Sequence, residues 1–269
     1  MPKIAELFTH PIKSTHGWKI PSAQVTAEGL AFDRSWVIVK ADTNEMITGR
    51  KYPELLRLAP KVKGDELWIY EDEQLVFKMP LRLEKGDPHA FNFFSRMREG
   101  IVAPYYINEW MSNFLNFEVQ MLNYGGTSKN LVLEKHGGEE DDVIGFADQC
   151  PILLINYATL TQLNKKLENR VTVRHFRPNI VISDKTPEIE ETWKRIKVGE
   201  CEFDVVQKCI RCVFTTLDPF SRTFDKKQEP LRTLATYKKD PRGGVDFGVH
   251  LIPRKLGKIS VGNEVEVLI

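Results

Sequence analysis

Four cysteines, at positions 150, 201, 209 and 212, have the widest chemical range in this sequence, and two of them share the run Lys208-Cys209-Ile210-Arg211-Cys212-Val213-Phe214-Thr215-Thr216. The thiolate is the form that binds metals or attacks, and a nearby cation raises its fraction. Arg211 is a candidate neighbour of Cys212, although successive side chains of a strand point to opposite faces. The β-branched and aromatic run after Cys212 predicts a place at the edge of a strand, where the backbone presents the side chain. One Cys-x-x-Cys pair is a weak zinc signal, because a closed structural site takes four ligands. The cysteines lack the density of a secreted disulfide scaffold and read as thiols. On these residues alone the pair is equally compatible with buried small hydrophobes, with a zinc fragment or with a thioredoxin-like pair.

Three clusters have the makings of anion sites. Pro11-Ile12-Lys13-Ser14 joins a cation to a hydroxyl, Asp33-Arg34 precedes an apolar run, and His175-Phe176-Arg177-Pro178-Asn179 places an arginine before a proline. The residue before proline avoids the helical region, so Arg177 is predicted to be extended, with its guanidinium fixed for bidentate recognition of a phosphate. Any anion binding must be local. Thirty-eight basic against thirty-seven acidic residues leave a net charge of +1, which gives no global field to steer a nucleic acid or a membrane surface.

The elements that must position these residues are mostly strands. Runs at 3–9, 36–39 and 46–48, with Asp42-Thr43-Asn44-Glu45 between the last two, predict a strand and a hairpin. Leu67-Trp68-Ile69-Tyr70 and Leu75-Val76-Phe77-Lys78-Met79 flank a polar turn and predict a second hairpin. Regular alternation is lost over 86–102, and a short helix is expected over 110–115. Loop-like runs, Asn123-Tyr124-Gly125-Gly126 and His136-Gly137-Gly138-Glu139-Glu140-Asp141-Asp142, place a boundary within 118–145, and the acidic run reads as a solvated loop. In the second half an apolar strand at 151–155 leads through Asn156, a candidate N-cap, into a helix that packs Leu160, Leu163 and Leu167 on a sheet. Further strands are expected at 179–183 and 203–206. A closing hairpin is expected over 258–268, turning at Gly262-Asn263. With 42% hydrophobic and 28% charged residues this is the composition of an ordinary globular protein, and its length favours two lobes. Met1-Pro2-Lys3-Ile4-Ala5-Glu6 carries charge where a signal core would be apolar, and no run is long enough to cross a bilayer, so a cytoplasmic location is expected, with neither a membrane nor a nucleic acid as partner.

The blocks in this order resemble the molybdenum cofactor sulfurase C-terminal (MOSC) family, in the branch of the mitochondrial amidoxime-reducing component and its bacterial counterparts. Pro11-Ile12-Lys13-Ser14 with Gly17, Gly29-Leu30 and Asp33-Arg34-Ser35-Trp36 resemble the family's N-terminal β-barrel lobe. Phe176-Arg177-Pro178-Asn179-Ile180-Val181, Cys209-Ile210-Arg211-Cys212 with Thr215-Thr216 and Asp218-Pro219, Glu229-Pro230-Leu231, Phe247-Gly248 and Val261-Gly262 resemble its MOSC lobe.

The resemblance implies an α+β, predominantly β protein: a β-barrel-like domain over 1–120, and over 121–269 a MOSC β-barrel domain with packed helices. It implies a pyranopterin molybdenum cofactor whose metal takes one sulfur from a protein cysteine, and Cys212 matches that ligand. Lys13, Ser14, Arg34, Arg177 and Asn179 match positions that hold the cofactor, with Cys209, Ile210 and Arg211 beside the ligand. Asp148, Gln149 and Cys150 match the segment lining the metal, where Asp148 would orient a water or a substrate proton. Cys150 stands where serine is familiar, and Ile210 where relatives often carry a small polar residue.

The activity implied is reduction of small N-hydroxylated compounds, such as amidoximes, N-hydroxylated bases and hydroxylamines, by oxygen-atom transfer at the metal. No plant-type ferredoxin cysteine pattern is present, so electrons are expected from a separate protein, a ferredoxin or flavoprotein reductase. The alternative from another class is a cofactor carrier or sulfur-relay protein that turns over no substrate.

Overall fold

Short apolar and β-branched runs punctuated by glycine, proline and asparagine make strands the dominant element. The computed structural model describes residues 1–125 and 130–269, so Gly126 of the expected loop lies outside the described residues. Its largest sheet has eight strands in the order Val265–Val267, Arg195–Val198, Cys201–Arg211, Val245–Lys255, Ile152–Asn156, Ile180–Ser183, Lys3–Thr9 and Trp18–Ile20. A four-stranded sheet runs Trp36–Lys40, Val119–Asn123, Arg96–Val102, Pro88–Phe93. Two three-stranded sheets join Gly257–Ser260, Ser22–Thr26 and Gly29–Leu30, and Leu58–Lys63, Glu66–Glu71 and Gln74–Pro80. The protein is predominantly β, but the expected barrels are not closed, because each hydrogen-bonded order ends on two different edge strands.

The first thirty residues are built into the second half of the chain. Leu7 pairs with Ile180 and Val25 with Gly257, so strands from both ends of the sequence share sheets. Alternation along these strands separates two cores on the faces of the large sheet. Leu7, Ile152 and Leu154 pack on one side, and Phe8, Leu153 and Ile155 on the other.

The strand Cys201–Arg211 changes sides along its length. Cys201 and Phe203 belong to the first core, yet Cys209, at the same odd spacing, packs with Phe176 and Phe247 in the second. Val205 faces Leu251 while Gln207 faces His250, so one residue is unpaired between them, and such a bulge moves every later side chain to the opposite face. Without this bulge Cys209 would point into the wrong core.

Several local expectations are met: Asn156 accepts from the Ala158 N–H at 3.0 Å and caps the helix Tyr157–Asn164, and the hairpin joining Glu66–Glu71 to Gln74–Pro80 is present. Others are corrected. Residues 88–102 form a hairpin with Phe94 in a left-handed turn, its alternation disguised by the buried Arg98. The hairpin over 36–48 is kept only in part: Ile47 N–H bonds the Ile38 carbonyl at 2.8 Å, Lys40 N–H bonds the Glu45 carbonyl at 2.9 Å and Met46 bridges Val39, while the Met46 N–H turns to the Asn92 carbonyl at 3.0 Å. The helix Tyr105–Leu115 starts a turn earlier than expected, burying Ile107, Met111 and Leu115.

The strands on either side of Gly262-Asn263 do not pair with each other, since one joins Ser22–Thr26 and the other Arg195–Val198. In the acidic run, Asp142 is buried rather than solvated, and takes Arg254 at 2.5 and 3.1 Å.

Gly248 in the strand Val245–Lys255 has φ 78°, and an added Cβ would lie 2.7 Å from the Leu154 carbonyl oxygen and 2.6 Å from Ile155 Cγ2. Only glycine adopts that backbone freely at so close an approach. Gly248→Ala is expected to lower the unfolding free energy by roughly 2–4 kcal/mol, from left-handed strain and overpacking together. Urea unfolding of the two proteins measures this; an unchanged midpoint would refute the close approach.

Candidate functional site

All twelve residues singled out from the sequence line one cleft of about 440 Å³: Lys13, Ser14, Arg34, Asp148, Gln149, Cys150, Arg177, Asn179, Cys209, Ile210, Arg211 and Cys212. Each lies at or next to the end of a strand. Lys13 and Ser14 follow Lys3–Thr9, Arg34 precedes Trp36–Lys40, and 148–150 precede Ile152–Asn156. Arg177 and Asn179 precede Ile180–Ser183, and Cys212 follows Cys201–Arg211.

Three of these residues have left-handed backbone: Ser14 at φ 71°, Arg34 at φ 47° and Arg177 at φ 54°. Such conformations cost about 1–3 kcal/mol each and persist only where surrounding contacts over-determine them. Arg177 is thus not extended, despite the proline that follows. Its N–H bonds the Arg174 carbonyl at 3.3 Å, its carbonyl accepts from Arg34 at 3.0 Å, and its Nη1 donates to the Thr15 carbonyl at 2.6 Å. Tertiary hydrogen bonds override the local preference.

Arg34 is held from both sides. Its guanidinium bonds the Asp33 carboxylate and donates to Asn179 Oδ1 at 3.1 Å. Asp33 also accepts the His10 backbone N–H at 2.8 Å. Burial alone would raise the Asp33 pKa, but Arg34 and then the His10 ring, whose Nδ1 lies 3.5 Å from Asp33 Oδ1, outweigh it and hold the carboxyl far below its usual range. Asn179, 1% exposed, also accepts the Leu153 N–H at 3.2 Å and donates to the Phe8 carbonyl at 3.4 Å, so its amide acts by fixing Arg34.

Lys13 donates to the Phe146 carbonyl at 2.9 Å, pairs with Asp148 and lies 4.8 Å from the centre of the Phe93 ring. Burial pushes its pKa down to about 8 against the pull of Asp148. Asp148 in turn is lowered to about 2, because Lys13, then Arg50 and Arg34, overcome its desolvation. It is a carboxylate at neutral pH. Arg98 shapes the same wall by donating to the Gly145 and Ala147 carbonyls at 2.7 and 3.1 Å.

Seven lysine and arginine side chains line the cleft against the single carboxylate of Asp148. Like charges crowd one another: burial and then Arg34 push the Arg177 pKa down to about 9. An anion with several negative charges would relieve this repulsion. Arg211 Nε is buried with no partner, and the Ser14 hydroxyl has none among the described residues.

The cysteines divide by exposure. Cys212 is the exposed one, its carbonyl accepting the Thr215 N–H at 3.0 Å and so starting the 3-10 turn Val213–Thr216. Arg211 turns away from it and donates to Cys209 Sγ at 2.8 Å and to the Phe176 carbonyl at 2.6 Å, as strand alternation requires. The candidate cation for Cys212 therefore serves Cys209, whose thiol pKa is nevertheless raised by burial. Cys150 is buried, donates to the His136 carbonyl at 3.5 Å and lies 3.7 Å from Gln207 Nε2. Among the described residues, no three His, Cys, Asp or Glu side chains are grouped to hold a metal ion.

Sequence reasoning missed other lining residues. Arg50 stacks 5.0 Å from the Phe94 ring, and Arg96 donates to the Asp148 carbonyl at 3.4 Å. Phe94 and Arg96 sit in the unrecognised hairpin, and His136 and His250 belong to no local motif. Gly49 before Arg50 was the one available signal, since a Cβ there would come 2.8 Å from the Phe214 ring.

Residues 1–118 match the MOSC N-terminal beta barrel domain, and residues 141–266 the MOSC domain. Mitochondrial amidoxime-reducing component 1 of Danio rerio is 31% identical over 97% of this chain and 83% of its own length. Mitochondrial amidoxime reducing component 2 of Homo sapiens is 31% identical over 97% of this chain and 82% of its own. Among solved structures, the YUAD protein from Bacillus subtilis aligns over 99% of this chain and 96% of that one, at 10% identity and a TM-score of 0.42. No helix of the described residues is long and apolar enough to cross a membrane.

Replacing Asp33 leaves Arg34 buried without its counter-charge, and breaking such a pair costs about 3–5 kcal/mol. Asp33→Asn is expected to be destabilised by that order at pH 7. Because the folded pKa is lowered, this contribution is complete above the unfolded value of about 3.9 and is lost as pH falls below it. Thermal unfolding at pH 7 and pH 3 should show the gap between the two proteins closing on acidification; a gap independent of pH would refute the ion pair.

Proposed function

As the chain belongs to the MOSC family, in the group that includes the mitochondrial amidoxime-reducing components, we propose that it is a molybdenum-cofactor-dependent reductase of small N-hydroxylated compounds such as amidoximes, N-hydroxylated bases and hydroxylamines. The observation that carries this reading is the exposed thiol of Cys212 on a cleft lined by seven cations.

The donor set fits a pyranopterin cofactor. A soft thiolate suits a molybdenum centre. Lys13, Ser14, Arg34 and Arg177 suit the phosphate, and the unpartnered Arg211 Nε is a further donor that the fold leaves unsatisfied. When bound, the cofactor supplies two-electron chemistry that breaks an N–O bond, with two protons taken up and the oxygen leaving as water. The electrons come from a separate donor protein, a ferredoxin or a flavoprotein reductase.

The protein's own residues bind, orient and shield. Asp33 and Asn179 fix Arg34, and Phe176, stacked 4.0 Å from Phe247, places the carbonyl that anchors Arg211. Asp148, kept ionised by Lys13, accepts a hydrogen bond from a substrate N–H or O–H and does not serve as the acid.

Protein expressed anaerobically with molybdate is expected to reduce benzamidoxime with an artificial electron donor. No turnover by cofactor-loaded protein would overturn the reductase reading and favour a cofactor carrier. Cys212→Ser is expected to lose molybdenum-dependent reduction, while Cys209→Ser, which removes a buried thiol, keeps most of it. Equal loss in both would mean that Cys212 is not the ligand.

A further inference from the structure

His136 and His250 line the cleft, and the proposed cofactor contacts use neither. Both rings turn Nδ1 towards one side chain: Gln207 Nε2 lies 3.3 Å from His136 Nδ1 and 3.3 Å from His250 Nδ1. The two ends of an amide are nearly isosteric, so its orientation must come from its other partner. Arg242, which can only donate, stands 2.5 Å from Gln207 Oε1. The arginine is itself pinned by Asp240, through Nε at 2.8 Å and Nη2 at 2.7 Å. The amide oxygen therefore faces the guanidinium, and the NH2 faces the rings.

A ring nitrogen that faces a donor must offer its lone pair. Both imidazoles are consequently neutral, with the proton on Nε2. Burial, then Lys135, His250 and Arg96, lower the His136 pKa and act in the same direction. Among the described residues neither Nε2 has a hydrogen-bond partner, and His250 is only 7% exposed. Cys150 packs against the same group: its thiol donates to the His136 carbonyl, and its sulfur lies 3.7 Å from Gln207 Nε2, whose two hydrogens are taken by the rings.

The cleft thus holds two kinds of donor. Its cations suit an anion, whereas a neutral imidazole N–H adds no charge and suits an uncharged oxygen. We propose that Gln207 locks His136 and His250 in the Nε2–H form, and that this pair binds the oxygen of an uncharged N-hydroxylated substrate. The identity of the ligand rests on the reductase reading, while the tautomer lock rests on geometry alone. Gln207 is a positioning residue, and the two histidines make the contact.

Nitrogen-15 NMR of the cofactor-loaded, oxidised protein at pH 7 reads ring tautomers directly. Nε2–H forms are expected at both positions, and Gln207→Leu should give mixed tautomers; an Nδ1–H or doubly protonated ring in the unmodified protein overturns the lock. Binding of N-phenylhydroxylamine and of aniline to the same oxidised protein tests the ligand, since both are uncharged and only one carries the oxygen. The double variant His136→Leu/His250→Leu is expected to weaken N-phenylhydroxylamine about tenfold, the worth of two neutral hydrogen bonds, and to leave aniline unchanged. His250→Gln, which returns an N–H donor to that position, should recover part of the loss when paired with His136→Leu.

Equal weakening of both ligands, no weakening, or loss of bound molybdenum in the double variant overturns the assignment. If oxygen-dependent binding is lost in the variant but the unmodified protein reduces nothing, the donor pair stands and the reductase reading falls. If the unmodified protein reduces N-phenylhydroxylamine and the variant binds it normally, the donor pair falls alone.

Discussion

The Asp33 carboxylate is buried, with the Arg34 guanidinium on one side and the His10 backbone N–H at 2.8 Å on another. Through Arg34 it reaches Asn179 Oδ1 and the Arg177 carbonyl, both in the second half of the chain. A guanidinium this crowded by other cations needs a fixed counter-charge to stay folded inward. Its neighbours inherit their placement from it: Asn179 is engaged on both ends of its amide, and Arg177 keeps a left-handed backbone with its carbonyl turned to Arg34.

This arrangement works against stability in order to be ready for a ligand. Seven cations share a cleft with one carboxylate, and four residues on its rim, Ser14, Arg34, Phe94 and Arg177, hold left-handed backbone without being glycine. The cost is carried by ordinary means elsewhere: two apolar cores on the faces of the large sheet, and carbonyls at Phe146, Thr15 and Phe176 that each take one charged donor. Because Lys13, Arg34, Arg96, Arg177 and Arg211 are each tied to a backbone carbonyl, most of the positive field is fixed in place before any ligand arrives, and little reorganisation is needed on binding.

How much of this was legible depended on how local the signal was. Lys13-Ser14, Arg34, Arg177-Pro178-Asn179 and Cys209-Ile210-Arg211-Cys212 are short blocks in a recognisable order, and the structure brings them to one cleft. The strand Lys3–Thr9 and the cap at Asn156 were readable because alternation and capping are properties of a few adjacent residues. The hairpin over 88–102 was hidden because Arg98, buried against carbonyls, breaks the apolar pattern. The direction of Arg211 follows from strand alternation, but the side that Cys209 faces depends on the bulge at Val206, which shows only in the pairing with the neighbouring strand. His136, Gln207, Arg242 and His250 come from three separate stretches of chain and meet only through the sheet, so no window of sequence contains them.

The pairing of Leu7 with Ile180 and of Val25 with Gly257 has a consequence for the order in which the molecule is made. On a ribosome, Lys13 and Arg34 emerge long before the segments that wall them in, and the strand bearing Cys209 gains its partner only when Val245–Lys255 has been synthesised. So non-local a topology folds slowly and late. The cleft is therefore a property of the released chain, and whatever fills it must enter a finished protein rather than template a growing one.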